Sequence, residues 1–368
     1  MSKTIVSIIS EQTIPNYLFI KEMFLPGDTL MFISSKKMKD KSQWIKDALG
    51  WKQCETVDVV FNKDGDEEKS DAIYNQVSTY LNNSEEYCVN LTGGTKFLAL
   101  VLQNLFEKFN SHFYYIPYPK NQIISVSGSD ERKIFHRVSV DEYMHVYGEQ
   151  IREPQKPIID SDYTNRFLSL FLKDFNQNHF DIINKLRSYR SSKSLVISTV
   201  ENKIDDSKGP RIEELANFLN DIQYPHKQNV LQKSDIQYLT GGWFEEYVYQ
   251  YIKHYVNPND IQLSVIIKKT GNELDVVFTL GNKLYVVECK TGVDKKLMLN
   301  EIVYKASALK SALFGLSAKS YIFALSEGDE SWGNAASNMG ISYYGRSYFQ
   351  DEKKLEKLLD TIIKSSAN

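Results

Sequence analysis

Cysteine is scarce in this 368-residue chain, and the little there is follows no pattern. Cys54, Cys88 and Cys289 sit in apolar runs without CxxC spacing, which argues against a disulfide framework or a thiolate zinc site and favours reduced thiols. Six histidines form no HxH or HExxH cluster, so zinc-hydrolase chemistry has no ligand set. No apolar run approaches the roughly 20 residues of a membrane span, and the chain enters strand-like TIVSIIS without a cleavable leader pattern. These absences lead us to expect a cytoplasmic protein with no membrane contact. Neither sign of charge dominates. The net charge of −3 gives no bulk attraction to nucleic acid, so a nucleic-acid enzyme of this composition must rely on a local groove and on metal.

What is present divides along the chain. Residues 1–127 alternate short apolar strands (Ile5–Ile9, Thr29–Ile33, Thr56–Val60, Tyr87–Leu91) with helical stretches (Pro15–Phe24, Ser42–Leu49, Ala72–Leu81, Thr95–Phe109). Closing strands follow at His112–Ile116 and Gln122–Val126. Repeated strand–helix units predict a Rossmann-like parallel sheet whose ligands bind beyond the carboxyl ends of the strands. Residues 149–235 open on the charged, proline-bearing segment Glu149–Pro157, which reads as a linker, and continue as helix-rich polar sequence without a motif. Residues 236–368 carry a helix (Trp243–Tyr255), three strands, a helix (Asn300–Phe314, closed by Gly315), two more strands (Tyr321–Leu325, Ile341–Tyr344) and a terminal helix. No internal repeat appears. The fold class is therefore α/β in two units with a helical segment between them.

The most informative stretch is Glu273–Lys290, ELDVVFTLGNKLYVVECK. Two apolar strands flank Gly281-Asn282, a two-residue hairpin turn. A register that sets Leu280 opposite Lys283 sets Asp275 opposite Glu288 and Glu273 opposite Lys290. Strict alternation then gathers Asp275, Glu288 and Lys290 on the face of Val277, Thr279, Leu284 and Val286. Like charges directly opposite destabilise a strand pair, and a divalent cation reverses that sign. Hard oxygen ligands suit Mg²⁺ or Mn²⁺, with the lysine left to orient water or meet developing charge at phosphorus. A structural charge cluster is the competing reading.

A second motif, Asn90-Leu91-Thr92-Gly93-Gly94-Thr95-Lys96, follows a strand and opens a helix. Adjacent glycines admit a ligand close to backbone N–H groups, and the helix terminus favours anions. Thr92, Gly93, Gly94, Thr95 and Lys96 form a candidate phosphate or nucleotide cradle. Ser10, Glu11, Gln12 and Thr13 after the first strand, and the Ser34-Ser35-Lys36 turn after the second, lie at the same sheet edge, with Ser35 as a further candidate. Ordinary turn chemistry is the competing reading for all of them.

The hairpin resembles the PD-(D/E)xK nuclease core, with an acid on one strand (Asp275) and E-x-K on the next (Glu288, Lys290). Gly241-Gly242-Trp243-Phe244-Glu245 resembles the helix-borne acid motif of that superfamily, which makes Glu245 a candidate and Glu246 its neighbouring alternative. Lys305 is a candidate phosphate contact. Together with S-E-Q-T and T-G-G-T-K upstream, the chain resembles the cyclic-oligoadenylate-activated CARF nucleases of type III CRISPR systems. The resemblance implies a CARF sensing domain (1–148) and a restriction-endonuclease-like domain (236–368). It implies a homodimer that binds cyclic tetra-adenylate and cleaves single-stranded RNA or DNA, or nicks DNA. Asp275, Glu288 and the Cys289 carbonyl would hold the metal, and Lys290 and Glu245 would serve the chemistry. A ligand-gated nucleic-acid-binding regulator and a ring nuclease that degrades its own messenger are the alternatives.

Overall fold

The computed structural model describes residues 2–51, 54–63, 65–172, 177–191, 194–196, 212–225, 230–292, 303–304, 318–326 and 330–367. The first unit is built on seven strands: β1 (Thr4–Ile8), β2 (Thr29–Ser35), β3 (Glu55–Phe61), β4 (Glu86–Asn90), β5 (Asn110–Tyr115), β6 (Gln122–Ser125) and β7 (Glu131–Lys133). Their order is β3-β2-β1-β4-β5-β6-β7, parallel through β5 and antiparallel thereafter. Every residue of β1 is buried, as a central strand covered on both faces must be. The crossovers carry α1 (Ile14–Met23), α2 (Lys39–Leu49), α3 (Ser70–Val77) and α4 (Lys96–Phe106), and α5 (Val140–Val146) follows the sheet. Strand β7 gave no signal in the sequence because its three residues, Glu-Arg-Lys, are all exposed and carry no apolar alternation.

Chain order reverses direction between β1 and β4, so the crevice outside their carboxyl ends is the topological switch point of the sheet.

The 149–157 stretch differs from the free linker that its prolines suggested. Its backbone runs along the edge of the second sheet: Arg152 N–H donates to Ile266 O (2.9 Å), Gln155 N–H to Leu263 O (3.0 Å), and Lys268 N–H to Gln150 O (2.8 Å). The helical segment contains α6 (Ser161–Leu172), α7 (Gln177–Arg187) and α8 (Ile212–Asp221). It also holds a two-stranded ribbon of β8 (Ser194–Val196) and β9 (Val230–Gln232), and α9 (Lys233–Gln237). It packs on the second unit through aromatics, with Phe167 and Phe171 at ring-centroid distances of 4.3 and 5.4 Å from Trp243 on α10 (Trp243–Tyr255).

The second sheet is β10 (Asp260–Ile266), β11 (Glu273–Leu280), β12 (Lys283–Lys290), β13 (Lys319–Ala324) and β14 (Ile341–Tyr344), in that order. Strands β10 to β12 are antiparallel, and β12 to β14 parallel. The expected helix Asn300–Phe314 lies outside the described residues except for Val303 and Tyr304, and Gly315 and Lys305 lie outside them too.

One apolar cluster belongs to both units. Ile5, Phe19, Leu30 and Tyr143 of the first pack in a single core with Val265, Leu274, Val277, Leu284 and Val286 of the second. At about 1.5–3 kcal/mol for each fully buried large aliphatic side chain, this shared layer is a substantial adhesive.

Candidate active site and ligand loop

The hairpin forms in the register that its turn specifies. Leu280 pairs with Lys283, and the ladder continues to Val276–Val287. Gly281 and Asn282 both take positive φ (58° and 62°), the two left-handed positions of a type I′ turn. Asn282 is fully buried in the first unit: its Oδ1 accepts from Val138 N–H (2.9 Å), and its Nδ2 donates to Asn121 Oδ1 (2.8 Å) and His136 O (3.1 Å). Tyr118 Oη donates to Asn282 O (3.0 Å).

Strict alternation breaks down beyond Val276. Ser264 on β10 takes a φ of 54°, and neither Ser264 nor Asp275 appears in the regular β10–β11 pairing. Across this point both strands change sides: Leu263 and Val276 bury in the core that the second sheet forms with the helical segment, and Val265 and Leu274 in the core shared with the first unit. The expected placement of Asp275 with Val277 and Thr279 is therefore corrected. At the kink its carboxylate reaches across to β12, where Oδ2 accepts from the Cys289 N–H at 2.7 Å in place of a ladder bond. The expected Glu273–Lys290 pairing is likewise replaced, with Glu273 bonded to the Ser264 hydroxyl.

Lys290 closes the group. Its ammonium lies 2.6 Å from Glu288 Oε1 and 3.3 Å from Asp275 Oδ2, and donates to the Cys289 carbonyl at 3.1 Å. Burial and then the Glu288 charge, against the opposing pull of Lys290, push the Asp275 carboxyl up to about 6. Burial lowers the Lys290 ammonium, but the two carboxylates outweigh it and hold the group above the ordinary lysine value. Glu245, entering from α10, is pushed up to about 8 by burial and then by Asp275. The site carries more buried negative charge than one lysine compensates.

Five residues of π-helical turn, Tyr238–Gly242, precede α10 and set its phase. They resolve the choice between adjacent acids. Glu245 faces the site electrostatically, whereas Glu246 accepts from the backbone N–H groups of Ile158 and Ile159 and from Tyr238 Oη, which ties down the chain entering α6. Among the described residues no three His, Cys, Asp or Glu side chains converge as a metal-holding group. The donor set in reach of a hard divalent cation is two carboxylates and the Cys289 carbonyl, all now in contact with the Lys290 ammonium.

At the switch point of the first sheet, the β4–α4 loop meets the end of β1. A Cβ on Gly93 would lie 1.9 Å from Ile8 O and one on Gly94 2.6 Å from Ile8 Cγ2, so only glycine allows this approach. The same Gly93 position is 3.4 Å from Ser10 Oγ, which brings the two predicted loops together. Thr95 caps α4, its Oγ1 accepting from Leu98 N–H at 3.1 Å, with exposed Lys96 as the first helical residue. Two candidates do other work. Thr13 is fully buried and donates to Val146 O at 2.7 Å, a correction to its placement as a ligand contact. Thr92 donates to Asn90 Oδ1 (2.6 Å) and accepts from Ile116 N–H (2.8 Å), so it shapes the loop from within. Glu11 pairs with Lys41 (3.0 Å), Gln12 is exposed, and Ser35 stands half-buried at the end of β2. Buried Asn90, absent from the predicted contacts, braces the loop against Asn16 (2.9 Å).

A sheet with ligand-loop geometry at its switch point, joined to an acid–acid–lysine hairpin, defines a sensing domain coupled to a nuclease domain. Residues 4–143 match the family model of the Card1 CARF domain, and residues 232–359 match that of the Card1-like endonuclease domain. The chain belongs to this family of CARF-linked endonucleases. Protein VC1899 from Vibrio cholerae superposes with a TM-score of 0.79 at 18% identity, over 99% of this chain and 98% of that one. Can2 from Sulfobacillus thermosulfidooxidans, solved in complex with cyclic tetra-adenylate, gives 0.71 at 21% identity over 98% and 99%. A type III CRISPR defence DNA nuclease activated by cyclic oligoadenylate gives 0.57 at 15% identity, over 98% of this chain and 52% of that one. At these identities the likeness is one of fold. No curated protein matches the chain. Among the described residues no helix is long and apolar enough to cross a membrane.

Proposed function

We propose that the chain is a metal-dependent PD-(D/E)xK nuclease, switched on by cyclic tetra-adenylate, that hydrolyses phosphodiester bonds of single-stranded RNA or DNA and nicks supercoiled DNA in type III CRISPR defence. The observation that carries this reading is the ammonium of Lys290 held between buried Asp275 and Glu288, with Glu245 beside them. A structural cluster would balance its charge. This one keeps two carboxyls pushed upward, by burial first and by neighbouring carboxylates next, a repulsion that a further cation would relieve.

Asp275, Glu288 and the Cys289 carbonyl would hold Mg²⁺ or Mn²⁺. When bound, the ion supplies an acidified water and charge stabilisation at phosphorus. Lys290, released from its carboxylate partners, holds and orients the water and faces the charge that develops on the phosphoryl oxygens. Glu245, its carboxyl pushed upward by burial and by Asp275 while no cation is bound, would serve beside them as an outer ligand or water-positioning group.

The sensing reading rests on the loop at the switch point. Ser10, Glu11, Gln12, Gly93, Gly94, Thr95 and Lys96 line it, with Ser35 and Thr92 at its margin, and its N–H groups and helix terminus suit a phosphodiester ring. On α4, beside the loop, Phe97 and Leu100 are 45% and 66% exposed, an apolar stripe that a second copy would cover in a two-fold homodimer. Residues 1–148 would sense and 236–368 cut, with 149–235 joining them.

The test incubates the protein with Mg²⁺ or Mn²⁺ and single-stranded RNA, single-stranded DNA or supercoiled plasmid, with and without cyclic tetra-adenylate. Ligand-dependent cutting is expected. Absence of cutting on all three substrates would overturn the reading.

A further inference from the structure

The helical segment, which carries no motif of its own, supplies two arginines to the rim of the nuclease site. Arg187 ends α7, and Arg190 follows in the next turn. Arg187 Nη2 donates to Thr291 Oγ1 at 2.6 Å, and Thr291 Oγ1 donates to Thr240 O at 2.7 Å. Arg190 Nε donates to Thr240 Oγ1 at 2.8 Å. Thr291 directly follows Lys290, and Thr240 stands five residues before Glu245, so this bracket straps together the two arms that deliver the site.

Each guanidinium lies against bare backbone. A Cβ on Gly241 would sit 2.9 Å from Arg190 Nη2, and one on Gly292 2.7 Å from Arg187 Nη1. The Gly241 position is also 3.7 Å from Glu245 Oε1, which brings the Arg190 fork and the Glu245 carboxyl to one glycine.

A cleft of about 550 Å³ opens there. Glu245, Glu246 and Glu273 line it, and Arg190 is the one cation in its described lining. Bonding to Thr240 through Nε fixes the position of the exposed Arg190 and leaves the bidentate Nη edge for an anion.

We propose that Arg190, steadied by Thr240 and flanked by Arg187, is a phosphate clamp that holds a backbone phosphodiester of the nucleic-acid strand and lays that strand along the cleft towards Asp275, Glu288 and Lys290. This rests on the nuclease reading. The clamp offsets the repulsion between an acidic site and a polyanion, a task the chain's net charge of −3 cannot perform.

The test measures binding of fluorescent single-stranded DNA and RNA oligonucleotides by anisotropy across a salt series, with cyclic tetra-adenylate present. Full-length Glu288→Gln protein serves as the uncutting parent. Adding Arg190→Ala is expected to weaken binding about tenfold and to lower the slope of log affinity against log salt by about 0.7, one phosphate contact on a single strand. Arg190→Gln, which keeps a donor for Thr240, should show the same loss, and Arg190→Lys should regain the slope but only part of the affinity. Unchanged affinity and slope in both neutral variants overturn the clamp even if the wild-type protein cuts. If binding depends on Arg190 but the wild-type protein cuts nothing, the nuclease reading fails and the clamp stands.

Discussion

At the hairpin the candidate groups are side chains, buried Asp275 gathered with half-buried Glu245, Glu288 and Lys290, their charges incompletely balanced. At the β4–α4 loop they are mostly backbone, a turn that two glycines bring against β1, with exposed Lys96 at the helix start. The first arrangement stores electrostatic strain, which suits chemistry on a charged substrate. The second presents fixed dipoles at little desolvation cost, which suits recognition of a ligand that must come and go. The difference shows which site should fail by losing a charge and which by losing a shape.

The largest expected effect follows from removing a charge. Glu288→Ala or Lys290→Ala should reduce cutting by about 100-fold or more, while calorimetric titration of cyclic tetra-adenylate stays unchanged. Full-rate cutting by either variant would break the contrast on the hairpin side.

Gly93→Ala tests the loop side by shape alone. The added methyl would stand 1.9 Å from Ile8 O, so the loop must rebuild. Ligand affinity and ligand-dependent cutting should fall together by about tenfold or more, with Glu288 and Lys290 intact. Wild-type affinity in this variant would place the messenger elsewhere.

A smaller effect sharpens the electrostatic half. Asp275 and Glu245 have folded-state values raised to about 6 and about 8 from ordinary carboxyl values, chiefly by burial. Between those limits the folded protein holds protons that the unfolded chain has released, so stability without metal should fall as pH rises from about 4 to about 8. The melting temperature should track this fall by a few degrees. Mn²⁺ should flatten the curve, and Asp275→Asn should shrink it. A melting temperature that rises across that window would contradict the burial of uncompensated carboxyls.

Asn282→Ala loses three side-chain hydrogen bonds in a buried setting and should cost about 1–3 kcal/mol, read from denaturant midpoints.

Much of the hairpin was legible because its determinants are local. A two-residue turn fixes register, and Gly281-Asn282 has the residues that a double positive-φ turn requires. The Gly93-Gly94 loop was legible for the same reason. The kink at Ser264 and Asp275 was not, since alternation assumes regular strands and nothing in VVF or LSV marks the break. Glu245 and Glu246 were inseparable by sequence because the phase of α10 depends on the π-helical turn before it. Arg187 and Arg190 were invisible because their partners lie 104 and 50 residues away, beyond any periodic signal. Thr13 misled because its loop position suggested exposure, while its hydroxyl serves a backbone carbonyl 133 residues away.

The layer shared by the two sheets bears on how this architecture can be taken apart. Val277, Leu284 and Val286 rest on side chains of the first unit, and Asn282 plugs into it. Excising the nuclease half would uncover an oily floor and leave a polar peg with nothing to bond. Such a fragment should clump rather than work as a small free enzyme, so exchanging sensors between relatives would require transplanting the matching underside as well.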